Sequence, residues 1–154
     1  MNKRVIKKQV KKWLVENELG DLKVGFSNDF EFDGDGSDND KIFIASEASD
    51  YENFNDLCKE LGYQGDYHIR TIAFLHELGH HFTCEDFDDE EEQWDQATRK
   101  VLYEIMEKNE NEAKVEAAFL MYYRLPQEIE ATKWALDFVN ENPNETRRLD
   151  LVLN

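Results

Sequence analysis

The sequence predicts an α+β fold: a small sheet near the N-terminus packed on a histidine-bearing helix, then a mostly helical C-terminal half. Three observations predict it. Two short runs rich in aromatic and β-branched residues, "LKVGFSNDFEF" and "KIFIAS", lie before residue 50. From Tyr51 onward, apolar residues recur at helical spacing almost throughout. Only seven glycines and two prolines interrupt 154 residues, a length that suits a single domain over 1–154.

The elements follow in order. "VIKKQVKKWLVENELG" sets Val5, Ile6, Val10, Trp13 and Leu14 on one stripe with lysines opposite, a basic amphipathic helix within 1–19 that ends near Gly20. "LKVGFSNDFEF" reads as a strand with a break at Ser27–Asp29, and "KIFIAS" as a second strand that could serve as a sheet edge. Between them "DGDGSDND", Asp33 to Asp40, is turn chemistry. It half-resembles a calcium loop through Asp33, Asp35 and Ser37. However, Asp38 stands where an EF-hand wants glycine and Ile44 where it wants glutamate, so a polar hairpin loop is expected.

"YENFNDLCKELG" is a short amphipathic helix closed by Gly62, and "YHIRTIAFLHELGHHF" a long apolar-faced helix over 67–82. "EDFDDEEE" holds seven acids in eight residues; it is a solvated link or the acidic start of the next helix, where the helix dipole favours negative charge. "QWDQATRKVLYEIMEKN" and "NEAKVEAAFLMYYRL" follow as helices. Pro126 stands where a new helix can start, giving a helix over 127–141, and "NETRRLDLVLN" closes the chain.

Charge narrows the partners. The net charge is −17, but Lys3, Arg4, Lys7, Lys8, Lys11 and Lys12 all fall in the first twelve residues, which hold no acid. Setting those six aside leaves 12 bases against 35 acids, a net of −23. Such a body repels nucleic acid and anionic membrane, and the basic start reads as the solvated face of a helix. Two cysteines, Cys58 and Cys84, make no disulfide framework. With no secretory signal pattern and no apolar run near the roughly 18 residues of a membrane span, a cytoplasmic protein with reduced thiols is expected.

The chemistry concentrates in "AFLHELGHHF", Ala73 to Phe82. Helical residues four apart share a face, so His76 and His80 can aim two ring nitrogens at one point. Zinc suits them at about 2.0–2.1 Å from each nitrogen. Glu77 lies about 100° further around the helix, outside the first shell but close to a water on the metal. There it can act as the general base, since zinc lowers that water's pKa toward about 7. This is the H-E-x-x-H spacing of zinc peptidases. Apolar Ile72, Ala73, Phe74 and Leu75 precede it, and buried histidine and glutamate need partners. Gly79 is a poor helix former and suggests close approach by another element. His81 points away from the metal, and His68 receives no role.

A catalytic zinc keeps three protein ligands and one open position. In "PQEIEATKWALDFV", Glu128, Ala131, Thr132, Ala135, Phe138 and Val139 share an apolar face whose two small alanines can press on the Gly79 side of the first helix. Glu128 heads that face and is the expected third ligand. Glu130 lies with Lys133 on a polar side and is the reserve, and Glu116 in "EAKVEAAFLMYY" is a rival. Oxyanion stabilisation points to Tyr67, Tyr122 or Tyr123 without choosing among them.

"FLHELGHHF" followed by "EIEATKWAL" resembles the gluzincin pattern of H-E-x-x-H and a later E-x-x-A helix, and is most similar to the ImmA/IrrE-like metallopeptidases of phages and mobile elements. The resemblance implies a zincin-like fold, zinc held by His76, His80 and Glu128, and Glu77 as base. The expected function is a zinc-dependent metallopeptidase acting on a peptide or protein, with a basic or neutral substrate segment suiting the acidic body. The alternatives are a catalytically silent zinc-binding interaction module of phage type, and a regulator that docks through the basic N-terminal helix.

Overall fold

The computed structural model of the chain describes residues 2–26, 40–44 and 52–154. The expected strand break at Ser27–Asp29 and, apart from Asp40, the calcium-like loop from Asp33 to Asp40 lie outside them. The first helix, α1 (Lys3–Glu16), is capped by Asn2, whose side chain accepts from the Arg4 backbone N–H at 2.9 Å. It buries Ile6, Val10, Trp13 and Leu14. Val5, expected on the same stripe, is exposed; the four buried positions alone complete the stripe. The helix stops before residue 19 because Glu18 and Gly20 take positive φ angles of 56° and 101°, which turn the chain out of the helix.

Strands β1 (Lys23–Phe26) and β2 (Lys41–Ile44) form a two-stranded sheet among the described residues. They pair in parallel, with Val24 opposite Ile42 and Phe26 opposite Ile44. The expected hairpin is therefore wrong, because a hairpin joins antiparallel strands and a parallel pair needs a crossover. Alternating residues tell which face is buried, not which way a neighbour runs. β1 rests on α1, and β2 rests on α3 (Ile69–Thr83).

One core joins these parts. Phe26, Ile42 and Ile44 of the sheet meet Trp13 and Leu14 of α1, Ile72, Leu75 and Leu78 of α3, and Phe54 and Cys58 of α2 (Glu52–Glu60). Ala135 and Val139 of α6 (Pro126–Glu141) and Leu149 and Leu153 of α7 (Pro143–Leu153) complete it. Each large apolar side chain fully buried here contributes roughly 1.5–3 kcal/mol of transfer free energy. Gly62 closes the turn after α2 as expected, with φ 99°.

The acidic run divides: Glu85 and Asp86 lie in a 3-10 turn (Cys84–Asp86), and the acids from Asp88 onward open the next helix. Asp88 accepts from the Glu91 N–H at 2.8 Å, and Glu91 reaches back to the Asp88 N–H at 2.9 Å. This capping box opens α4 (Asp89–Lys108), whose first turn is all acid. α4 packs on α5 (Glu112–Tyr122) through a small second cluster of Leu102, Ala118 and Leu125. α6 begins with Pro126 at its first turn, one residue before the expected 127.

The closing segment is also a helix, and it clamps the start of α3. Asp150 accepts from the His68 N–H at 3.0 Å and from the Thr71 hydroxyl at 2.6 Å. In return Arg70 donates to the Leu153 carbonyl at 2.7 Å. His68 is thus the N-cap residue of α3, and its own ring also meets Asp150 at 3.0 Å. Among the described residues no helix is long and apolar enough to cross a membrane.

Candidate metal centre

The pairing of α3 with α6 builds the site. Gly79 is the point of closest approach: a Cβ placed there would sit on the Ala131 carbonyl oxygen, nearer than real side chains come. Ala131 and Ala135 are fully buried on the facing side. The small residues on both helices let the two backbones touch. One helical turn from Gly79, His76 then faces Glu128 across the interface.

Three ligand atoms converge. His76 Nε2 lies 2.8 Å from Glu128 Oε2, His80 Nε2 lies 3.3 Å from the same oxygen, and the two Nε2 atoms are 3.2 Å apart. Among the described residues these three side chains form a group able to hold a metal ion. The fit can be tested by geometry. Ligands about 2.0–2.1 Å from a tetrahedral ion stand about 3.3 Å from one another. Two of the three spacings match that edge, and the third is shorter by about half an ångström, well within a side-chain adjustment.

The hydrogen bonds behind the triangle set its chemistry. His76 Nδ1 is 2.9 Å from the Thr132 hydroxyl, which donates its proton to the Glu128 carbonyl at 2.8 Å. A hydroxyl has one proton to give. Thr132 therefore accepts from His76 Nδ1–H, which in the neutral ring leaves the lone pair on Nε2, the atom that faces His80 and Glu128. That is the tautomer a metal ligand needs. Two imidazole nitrogens and a carboxylate oxygen drawn together suit a small divalent cation once both rings are neutral.

Glu128 is buried, 2% exposed. Burial pushes its carboxyl up, but the hydrogen bonds and charge of His76 and His80 outweigh burial and hold it well below the usual carboxylate range. For His80, burial pushes down, while the hydrogen bond and charge of Glu128 and the charge of Glu77 prevail and hold it above its ordinary value. The His80 side chain is 30% exposed against 5% for His76, so solvent reaches the cluster from the His80 side. Glu77 is exposed on that helix.

Two residues that sequence reasoning missed complete the site. Arg99 of α4 donates from Nη1 to Glu128 Oε1 at 2.7 Å, and its Nε donates to Asp95. Asp95 is 4% exposed and, with Leu102, is one of the two buried residues of α4. Burial pushes the Arg99 guanidinium down, and its bonds to Asp95 and Glu128 more than restore it. The i,i+4 spacing of Asp95 and Arg99 was a signal, but of an ordinary surface pair.

The other candidates fall outside the triangle. Glu130 pairs with Lys133 at 3.0 Å on the surface, as its helix face predicts. Glu116 is exposed on α5. His81 donates to the Lys41 carbonyl of β2 at 3.1 Å, fastening the sheet to α3. Tyr67 stands at the start of α3 with its hydroxyl on the Pro143 carbonyl at 3.1 Å, at the opposite end from His80. Tyr122 and Tyr123 are nearer: the Arg99 guanidinium lies 5.1 Å over the Tyr122 ring, and Tyr123 packs on Phe54, which edges His76.

No protein-family model matches this chain, and no curated protein or solved structure matches it significantly.

Proposed function

We propose that the chain is a zinc-dependent metallopeptidase of zincin-like, gluzincin type, similar to the ImmA/IrrE-like enzymes. The observation that carries this reading is the convergence of His76, His80 and Glu128 within 3.3 Å of one another, with Glu77 directly after the first histidine. His76 and His80 would hold the metal through Nε2, and Glu128 through Oε2. Zinc bound there would supply Lewis acidity, polarising a carbonyl and lowering the pKa of water.

The remaining work belongs to side chains. Glu77 is the general base, receiving a proton at its exposed carboxylate and passing it to the leaving amine. Thr132 keeps His76 in the Nδ1–H tautomer. Tyr122 and Tyr123 remain the candidates for stabilising the carbonyl oxygen as it gains charge, since Tyr67 is engaged elsewhere. The substrate is a peptide segment, and an acidic body favours a basic or neutral one. A groove lined by Phe87, Glu90, Glu91 and Trp94 beside the start of α6 has the same charge preference.

The test is metal content and peptidase activity together. Chelator-free wild type is expected to carry one zinc per chain, and His76→Ala none. Glu77→Gln should keep the zinc and lose peptide hydrolysis. Zinc that binds while wild type and Glu77→Gln are equally inactive would instead favour the silent zinc-binding module. Absence of zinc uptake at neutral pH would remove the enzyme reading altogether.

A further inference from the structure

We infer that Arg99 is a positioning residue: it confines Glu128 to ligation through one oxygen, and so fits the site to a small four-coordinate cation. This rests on the metal site proposed above and adds to it a device for choosing the metal. A carboxylate can bind a cation through one oxygen or both. Ions that favour many oxygen ligands, such as calcium, often take both. Here both oxygens of Glu128 are assigned. Oε2 faces the two histidines, and Oε1 accepts from Arg99 Nη1 at 2.7 Å.

Arg99 is itself held by two further residues. Asp95 takes its Nε and, at 3.4 Å, its Nη2, and the Tyr122 ring lies against the guanidinium face at 5.1 Å. The planar fork of arginine cannot swing away without breaking its bonds to a buried aspartate. Glu128 therefore cannot rotate Oε1 toward a cation without losing a charged hydrogen bond. Two imidazoles and one carboxylate oxygen leave a fourth position on the solvent side, where His80 is partly exposed. That is the ligand set of a tetrahedral catalytic ion. A surface arginine that merely neutralised two acids would need neither the fork nor the ring behind it.

Cobalt(II) provides the test, because its visible bands are intense when it is four-coordinate and weak at higher coordination. Wild type, Arg99→Met and Arg99→Lys would each be titrated with cobalt and, by competition, with zinc. Wild type should bind one cobalt with the intense four-coordinate spectrum. Arg99→Met should bind with weaker bands and about 10–100-fold lower zinc affinity. Arg99→Lys keeps the charge but cannot span Asp95 and Glu128, so it should follow the Met variant. Variants that retain the wild-type spectrum and affinity would overturn the inference and leave Arg99 a neutraliser of buried acids. If both variants fail to fold, Asp95→Asn loosens the same fork, and an unchanged cobalt spectrum there would overturn it equally. Wild type that takes up neither metal would remove the metal site itself, a different failure from an Arg99 variant that binds like wild type.

Discussion

Gly79 meets the backbone of Ala131 where any side chain would have to stand. This contact sets the distance between α3 and α6, and so the distance from His76 to Glu128. The lack of a side chain in the middle of α3 is a condition for bringing His76 to Glu128, although it weakens the helix by about 1 kcal/mol against alanine.

Gly79→Ala is therefore expected to destabilise the fold, despite the better helix propensity of alanine. The obstructing atom belongs to the backbone and cannot swivel away, so an overpacking cost of about 1–3 kcal/mol outweighs the propensity gain. Thermal unfolding would show a lower Tm, and zinc affinity should fall with it because the helices part. A higher Tm would mean that the close approach is not real.

Thr132→Val tests the second relationship, between Thr132 and His76. The hydroxyl is fully buried and is the acceptor for His76 Nδ1–H at 2.9 Å. Valine keeps the shape and removes that partner. Zinc affinity, read by competition with a chromogenic chelator, should drop about 10–100-fold. Equal affinity in the two proteins would show that His76 needs no help in presenting Nε2.

The legible parts of this molecule are those where one residue's type and spacing suffice. The apolar face led by Glu128 was readable because helical periodicity places Ala131, Thr132 and Ala135 beside it, and all are buried. Gly79 announced its own close contact. Arg99 and Asp95 were not readable. Their partner lies 29 residues further on, and nothing in α4 marks the charged face that turns inward. The parallel pairing of Lys23–Phe26 with Lys41–Ile44 was hidden too, because alternation carries no strand direction. Thr132 stood on the predicted face, but its role needed the position of His76.

The two thiols should behave differently. Cys58 is fully buried, and burial pushes its thiol up to about 12, so the reactive thiolate is scarce and inaccessible. Cys84 is exposed. At about pH 8 a disulfide reagent should titrate one thiol per native chain quickly. The second should react only after denaturant is added. Two fast thiols would contradict the placement of α2 in the core.

The effect of zinc on stability should depend on pH in a direction set by His80 and Glu128. His80 is held above its ordinary value of 6.5, so in metal-free protein its contribution is complete below 6.5 and is lost as pH rises through the raised value. Glu128 is held well below its ordinary 4.5, so its contribution is present above 4.5 and is lost only as pH falls through the depressed value. The metal-free protein is thus favoured by these two groups between those ordinary values and weakens on the alkaline side. Zinc held at the proposed site would reverse that trend, because it would bind neutral His80 and have to displace the proton. At saturating zinc, about a hundredfold above the dissociation constant, the gain is about 2.7 kcal/mol. The zinc-induced rise in Tm should be small near about pH 5.5 and grow toward about pH 8, as deprotonated ligands become available. A zinc effect that is flat across this range, or that shrinks with rising pH, would show that His80 is not a ligand.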